Sequence, residues 1–301
     1  MAEHPPNKND EEVAWTVGRL LTWTTEWLGR QGSESPRLDA EVLLACVRQC
    51  PRILLYTAFD EVVDGECRQK FRDLVRRRGQ GEPVAYLVGS KEFFSMSLEV
   101  TPATLIPRPE TEGLVIRALD VWKEVFGGKS GMRILDIGTG SGAIAIAIAV
   151  HMKDAVVTAT DISTEALKVA FGNAKKHSLD ERIHFVQADV LDHQDLIGPW
   201  DMILSNPPYV LEEEFNTLPD DVRLYEPRLA LVGGTTGCEI VQRLVEQSAG
   251  RLAPGGRLFI EVGPSTVLAA EQIITNTSSI VGEPTVSDGA GLARIVEART
   301  A

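Results

Sequence analysis

No stretch of the 301-residue sequence reads as a membrane-spanning helix. Such a helix needs roughly 18 or more apolar residues, and the best candidate, Gly142 to Val150, is short and rich in alanine. Cysteine is scarce too: Cys46, Cys50, Cys67 and Cys238 contain no Cys-x-x-Cys pair, which argues against a zinc site or a disulfide framework and favours reduced thiols. The five histidines, His4, His151, His177, His184 and His193, lack metal-ligand spacing, so no metal is expected and surface or loop positions are. Positive charge is in deficit, with 30 Lys and Arg against 43 Asp and Glu for a net charge of −13. Broad contact with phosphate backbones needs clustered cations, so nucleic acid is not expected as a direct substrate. The one basic cluster, Arg76-Arg77-Arg78, precedes Gly79 and reads as the last turn of a helix, where cations meet the negative end of the dipole. Near the start, Glu3, Asp10, Glu11 and Glu12 accompany Lys8, which suits neither a secretory signal nor an Arg-rich transit peptide. A soluble, cytoplasmic protein is the expectation, with no membrane partner.

What the sequence does contain is enough apolar content, 44%, for one full α/β core and a smaller second domain. From Val13 to Arg78 apolar residues recur at helical spacing, as in Val17, Leu20, Leu21 and Leu28, and predict a small helical domain. Ser35 before Pro36 predicts an N-cap followed by proline in the first turn. Around Gly89 to Val100 the residues Phe93, Phe94, Met96, Leu98 and Val100 suggest a hairpin or an extended linker. From Met132 onward, strand, glycine-rich turn and helix repeat, as in a doubly wound parallel sheet. The strands are expected at 133–136, 156–160, 183–187, 202–205 and 257–262. The domain boundaries follow: 1–85 helical, 86–105 hairpin or linker, 106–301 α/β. No internal repeat or low-complexity segment is evident.

Ligands of such sheets sit beyond the carboxyl ends of the strands, where Asp136, Asp161, Asp189 and Asn206 should converge. Ile134-Leu135-Asp136-Ile137-Gly138-Thr139-Gly140-Ser141-Gly142 is an apolar strand, an acid, and alternate glycines that let backbone approach a ligand. Gly138, Gly140 and Ala143 also satisfy the dinucleotide fingerprint, with Asp161 spaced to hold a ribose, so a nicotinamide enzyme competes. A carboxylate at Asp136 would suit the cationic methionine moiety of S-adenosylmethionine and repel a pyrophosphate, which favours the methyl donor. Asp161 would then accept both ribose hydroxyls, and Asp189 would accept from the adenine amino group. Against these stand an N-cap role for Asp161, which Ser163 could also fill, and an ordinary loop acid at Asp189.

Asp201-Met202-Ile203-Leu204-Ser205 reads as a buried strand that delivers Asn206-Pro207-Pro208-Tyr209 to the same sheet edge. Two prolines fix the backbone and remove two N–H donors. The Asn206 side-chain oxygen and the Pro207 carbonyl remain as acceptors, which an NH2 group would satisfy. A planar amide or amino nitrogen is a poor nucleophile, and fixing both its hydrogens can aim the lone pair at a methyl carbon. Tyr209 would pack its ring on the planar group. A rigid turn is the plainer reading of Pro-Pro.

These residues resemble a known family. Ile106-Pro107-Arg108-Pro109-Glu110-Thr111-Glu112, the glycine segment, Asn206-Pro207-Pro208-Tyr209, Tyr225-Glu226-Pro227-Arg228-Leu229-Ala230-Leu231 with Gly233-Gly234, Leu252-Ala253-Pro254-Gly255-Gly256 and Glu261-Val262-Gly263 are similar to the peptide chain release factor glutamine methyltransferases. The resemblance covers nearly the whole chain. It implies an α/β fold, a doubly wound Rossmann-like methyltransferase sheet with a small N-terminal helical domain and a short β-hairpin linker. It also implies transfer of a methyl group from S-adenosyl-L-methionine, leaving S-adenosyl-L-homocysteine, to N5 of the glutamine in the Gly-Gly-Gln loop of class I release factors. Under it, Asn206 and Pro207 bind the glutamine amide, Pro208 and Tyr209 lie against it, and Arg108 to Glu110 supports the pocket. Asp136, Gly138, Thr139, Gly140, Gly142, Asp161, Ile162, Asp189, Val190 and Asn206 fall at donor-binding positions, and the helical domain helps to hold the protein substrate, with a monomer expected. Enzymes that methylate a ribosomal-protein glutamine share these motifs, but Pro109-Glu110-Thr111-Glu112 favours a release factor. Gly263-Pro264-Ser265 departs from the pattern, which has a glutamine shortly after the glycine. The rivals are an adenine N6-methyltransferase, since adenine also presents a planar NH2, and a catalytically silent adaptor.

Overall fold

The computed structural model describes residues 14–301; Val13, His4, Lys8 and the acidic residues Glu3, Asp10, Glu11 and Glu12 lie outside the described residues. Two compact units meet in sequence at Val88 and Gly89. The first holds α1 (Val17–Arg30), α2 (Pro36–Val47), α3 (Leu54–Thr57), α4 (Gly65–Gly79) and α5 (Val84–Val88). Their apolar faces close on one core that includes Leu21, Leu28, Leu43, Leu44, Leu55 and Phe71. Each such fully buried side chain stabilises the unit by about 1.5–3 kcal/mol. Thr16 caps α1 by accepting from the Arg19 amide, and Asp64 caps α4 by accepting from the Cys67 amide. Arg76, Arg77 and Arg78 fall in the last turn of α4.

Ser35 occupies the N-cap position of α2 with Pro36 behind it, but its side chain makes no capping bond. Its φ of −133° and ψ of 56° are not the extended cap conformation. Its own amide instead donates to Ser33, whose hydroxyl donates to Asp39 in the first turn.

The second unit opens with the hairpin β1 (Ser90–Phe93) and β2 (Met96–Glu99), followed by α6 (Pro109–Glu124). Then come β3 (Arg133–Ile137), α7 (Ala143–His151), β4 (Val156–Asp161), α8 (Thr164–Lys176), β5 (Ile183–Gln187), β6 (Trp200–Ser205) and β7 (Val210–Leu211). The chain closes with α9 (Asp220–Tyr225), β8 (Val232–Gly234), α10 (Glu239–Ala249), β9 (Leu252–Glu261), α11 (Val267–Thr275), β10 (Ile280–Ser287) and β11 (Ala293–Thr300). Hairpin and sheet therefore share one compact unit. Asn173 on α8, wholly buried, locks them together: it accepts from the Glu99 amide and donates to the Glu99 and Ser141 carbonyls.

The main sheet has seven strands in the order β10-β11-β9-β6-β3-β4-β5. From β9 to β5 neighbours run parallel, and β11 is antiparallel to both β9 and β10. The five expected strands all belong to it. β9 begins at Leu252, five residues before the expected 257: Leu252 already pairs with Trp200 of β6, and a register shift that takes in Gly255, at φ +74°, precedes the pairing of Arg257 with Met202. β10 and β11 were not among the expected strands; Gly282 and Pro284 interrupt the pattern of β10, an edge strand whose register shifts between Glu283 and Val286, around that proline. Helix α7 is buried from Ala143 to Ala149, as an Ala/Ile helix apolar on every side should be. Strand order reverses between β3 and β6, so their carboxyl ends open the crevice where ligands of this architecture bind.

Candidate active site

The carboxyl end of β3 runs into Gly138-Thr139-Gly140-Ser141-Gly142. The three glycines have φ of +71°, +56° and +85°, a region that other residues rarely adopt. A Cβ on Gly138 or Gly140 would meet nothing within 4 Å, whereas one on Gly142 would press on Ile146 and Ala170. The first two glycines thus bare the backbone to open space, and the third lets α7 pack closely on α8. Two carboxylates hold the turn. Asp136 accepts from the Thr139 hydroxyl at 2.7 Å and the Ala145 amide at 3.1 Å. Asp161 accepts from the amides of Gly140 and Ser163, each at 2.9 Å. Ser163 rather than Asp161 caps α8, its hydroxyl accepting from the Ala166 amide.

A cavity of about 340 Å³ opens in front of this turn, within the usual range of ligand pockets. Gly138, Thr139 and Gly140 line one side, with Asp161, Ile162, Ala188, Asp189 and Val190 toward one end. Asn206, Pro207 and Pro208 line the other end, while Arg108, Thr111, Leu229, Ile240, Arg243 and Leu244 complete the wall. Val190 holds φ +58°, a costly conformation for a β-branched residue and one that recurs at ligand clamps. Asp189 lies exposed at the rim and pairs with Arg243 at 2.8 Å, so any ligand amino group there meets a carboxylate already shared with a guanidinium.

Asp136, Gly142, Glu110 and Tyr209 do not line the cavity. Asp136 is 1% exposed and its Oδ1 has no hydrogen-bond partner among the described residues. Burial pushes its pKa up to about 7, against the bonds from Thr139 and Ala145. The expectation that its charge faces the ligand is therefore corrected: Asp136 sits under the turn, and its charge cannot by itself separate a sulfonium from a pyrophosphate. Burial also raises Asp161, opposed by the backbone amides it accepts from.

β6 delivers Asn206 to the cavity, and the Ser205 hydroxyl ties it to β3 by donating to the Ile137 carbonyl at 2.8 Å. Past the prolines, the Val210 amide donates to the Leu231 carbonyl and β7 pairs with β8. A Cβ on Gly233 would collide with the Pro208 carbonyl, so glycine is required for that approach. The Asn206 amide nitrogen donates to Thr111 Oγ1 at 3.0 Å, and its Oδ1 makes no hydrogen bond to the described residues.

Tyr209 turns away from the cavity. Its ring packs on Gly263, where a Cβ would stand 3.0 Å from Cδ2, and its hydroxyl lies 3.5 Å from Glu261 Oε1. Burial and the neighbouring Glu261 push the Tyr209 pKa up to about 12. In the divergent segment Gly263-Pro264-Ser265, the Gly263 carbonyl accepts from both the amide and the hydroxyl of Thr266. Arg108 pairs with buried Glu226, which also accepts from the Ile106 amide at 3.1 Å. Glu110 is exposed in the first turn of α6.

Thr111, Glu226, Arg243 and Glu261 were not among the expected site residues. Three of them lie inside segments that carry the family resemblance, but their partners are distant in sequence: 95 residues separate Thr111 from Asn206 and 118 separate Arg108 from Glu226.

Residues 19–89 match the family model of the PrmC N-terminal domain, and residues 119–218 match that of the Methyltransferase small domain. The release factor glutamine methyltransferase of Rhodopirellula baltica is 46% identical over 294 residues, covering 98% of this chain and 99% of that protein. The protein of the same name from Chlorobaculum tepidum is 41% identical, over 84% of this chain and 87% of that one. Among solved structures, a methyltransferase from Pyrococcus furiosus has a TM-score of 0.50 at 19% identity, covering 69% of this chain and 89% of that one, a likeness of fold.

Proposed function

The chain belongs to the release factor glutamine methyltransferase family, and from that premise we propose that its cavity binds S-adenosylmethionine beside a glutamine amide held at Asn206-Pro207-Pro208-Tyr209. The reaction is methylation of the side-chain nitrogen N5 of the glutamine in the Gly-Gly-Gln motif of class I release factors, in the cytoplasm. The observation that carries this reading is the position of Asn206 and Pro207 at one end of the cavity whose side is the bare glycine backbone.

The residues present fit the donor. Open space at the Cβ positions of Gly138 and Gly140 leaves room for a group against the backbone. The Asp161 oxygens, each engaged by one amide, retain lone pairs for ribose hydroxyls. Ile162, Ala188, Val190 and Leu244 offer apolar surface for an adenine ring, with Asp189 at its edge. Asp136, Thr139 and Gly142 serve by holding the turn in shape. S-adenosylmethionine, when bound, supplies a methyl group already activated on a sulfonium and leaves as S-adenosylhomocysteine.

The chain's own contribution is orientation. Amide nitrogen is a weak nucleophile because its lone pair is delocalised. Asn206 Oδ1 and the Pro207 carbonyl would accept its two hydrogens and aim the nitrogen along the line of transfer. Once methylated, the nitrogen would have one proton to lose, and water could take it. Pro207 and Pro208 keep these acceptors rigid, Tyr209 braces them from the side of Glu261, and Arg108 holds the wall through Glu226. The first unit would help to hold the release factor.

Incubation with isotopically labelled S-adenosylmethionine and a release factor, followed by mass spectrometry of the Gly-Gly-Gln peptide, tests this. One added methyl on the glutamine is expected. Label on a ribosomal protein or on adenine in nucleic acid, with none on the release factor, would overturn it.

A further inference from the structure

Catalysis by an asparagine clamp requires that the amide present its oxygen, not its NH2, to the substrate. Asn206 touches Thr111 Oγ1 at 3.0 Å, yet a hydroxyl can donate or accept, so this contact alone does not decide which end faces the cavity. The decision passes to whatever takes the hydrogen of Thr111.

Behind Thr111 stands Glu261, at the end of β9 and 1% exposed. Its Oε1 is met by the Tyr209 hydroxyl, and its Oε2 has no hydrogen-bond partner among the described residues. The Thr111 hydroxyl, 4% exposed, faces this carboxylate and favours its ionised form. A carboxylate only accepts. With Glu261 charged, the Thr111 hydrogen points to Glu261, its oxygen must accept, and the group that donates to it is the Asn206 NH2. Asn206 Oδ1 is then left toward the cavity.

We infer that Thr111 and Glu261 are positioning residues that set the direction of the Asn206 amide, so that the site accepts an NH2 group and rejects a carbonyl. The inference rests on the glutamine-amide reading of the site and adds its source of polarity. The groups facing Glu261 are Thr111 and Glu110 from α6, Tyr209 from beyond β6, and Arg294 from β11, which is itself paired with Asp288. Burial, the largest influence, outweighs the hydrogen bonds and Arg294 and pushes Glu261 up to about 7. Protonated, Glu261 becomes a donor toward Thr111, the hydroxyl is released to donate to Asn206, and the amide loses its preferred direction. Turnover should therefore rise with pH through about 7.

The test uses the full chain with release factor, comparing wild type with Thr111→Val, Thr111→Ser and Glu261→Gln. Thr111→Val should lower kcat roughly tenfold or more, the size of one lost orienting hydrogen bond, with S-adenosylmethionine affinity by calorimetry within about twofold of wild type. Thr111→Ser, which restores the hydroxyl, should return kcat to within about threefold. Glu261→Gln should flatten the rise near pH 7. Independently of activity, the Asn206 side-chain NH2 should exchange slowly with solvent in wild type and fast in Thr111→Val by NMR. Wild-type kcat in Thr111→Val, equal impairment in Thr111→Ser, an unchanged pH profile in Glu261→Gln, or equal NH2 exchange in both proteins would each overturn the pair's role. A wild type that leaves the release factor unmethylated removes the substrate reading instead, and the exchange measurement then decides the orientation.

Discussion

Asp161 Oδ2 accepts a hydrogen bond from the Gly140 amide at 2.9 Å, so the carboxyl end of β4 holds the middle of the turn that follows β3. The same carboxylate lines the cavity. Removing it should loosen the turn and delete the acceptor for a ribose. Hydrogen bonds to charged groups contribute about 1.5–3 kcal/mol, so Asp161→Ala should weaken S-adenosylmethionine binding on the order of 10- to 100-fold by isothermal calorimetry. Unchanged affinity would remove Asp161 from the donor site.

Asn206 should separate binding from chemistry. Its amide is tied to Thr111 rather than to the glycine turn. Asn206→Ala is expected to keep donor affinity within a few-fold while methyl transfer falls by roughly 100-fold or more, the scale on which lost positioning acts. The measurement is the rate of methyl incorporation at saturating donor, and a fully active variant would sink the amide clamp.

Gly138 has φ +71° and open space where a Cβ would stand. Alanine there incurs about 1 kcal/mol or more of backbone strain and projects a methyl group into the cavity. Gly138→Ala should lower the melting temperature by only a few degrees yet weaken the donor markedly. Calorimetry and thermal melting on the same sample check this; the idea fails if stability drops while affinity holds.

Asp136 makes stability depend on pH. Its folded pKa, about 7, lies above the unfolded value near 3.8. The folded state therefore binds the proton more tightly, a contribution fully present below about pH 3.8 and lost as pH rises through 7. Asp136→Asn removes this loss, so its stability relative to wild type should improve from pH 5 to pH 8, by at most about 3 kcal/mol. Glu261, raised in the same sense, is present in both proteins and cancels. Urea unfolding at the two pH values measures it, and a constant difference would contradict the buried, partly protonated Asp136.

Much of the sheet was readable in advance. Arg133 to Ile137, Val156 to Asp161 and Ile183 to Gln187 are short apolar runs bounded by polar or glycine residues, and they pair as parallel neighbours. β10 was hidden because Pro284 and Gly282 contradict strand propensity, and its strand form comes from distant partners, the ladder with β11 and the packing of Ile280 on α11. Ser35 was read as a cap from its type, but the nearby Ser33–Asp39 bond shapes that helix start.

The sequence by itself determined the glycine turn, the acids at the strand ends and the rigid Asn206-Pro207-Pro208-Tyr209, because steric freedom at glycine and its loss at proline are properties of neighbouring residues. Tertiary structure alone decided that Asp136 lies beneath the turn, that Asp189 is shared with Arg243, and that Tyr209 turns to Glu261 while Asn206 turns to Thr111. Those outcomes depend on which strands lie side by side and which helix covers them. Burial and long-range hydrogen bonding set the charge and direction of each group, and no local pattern encodes either.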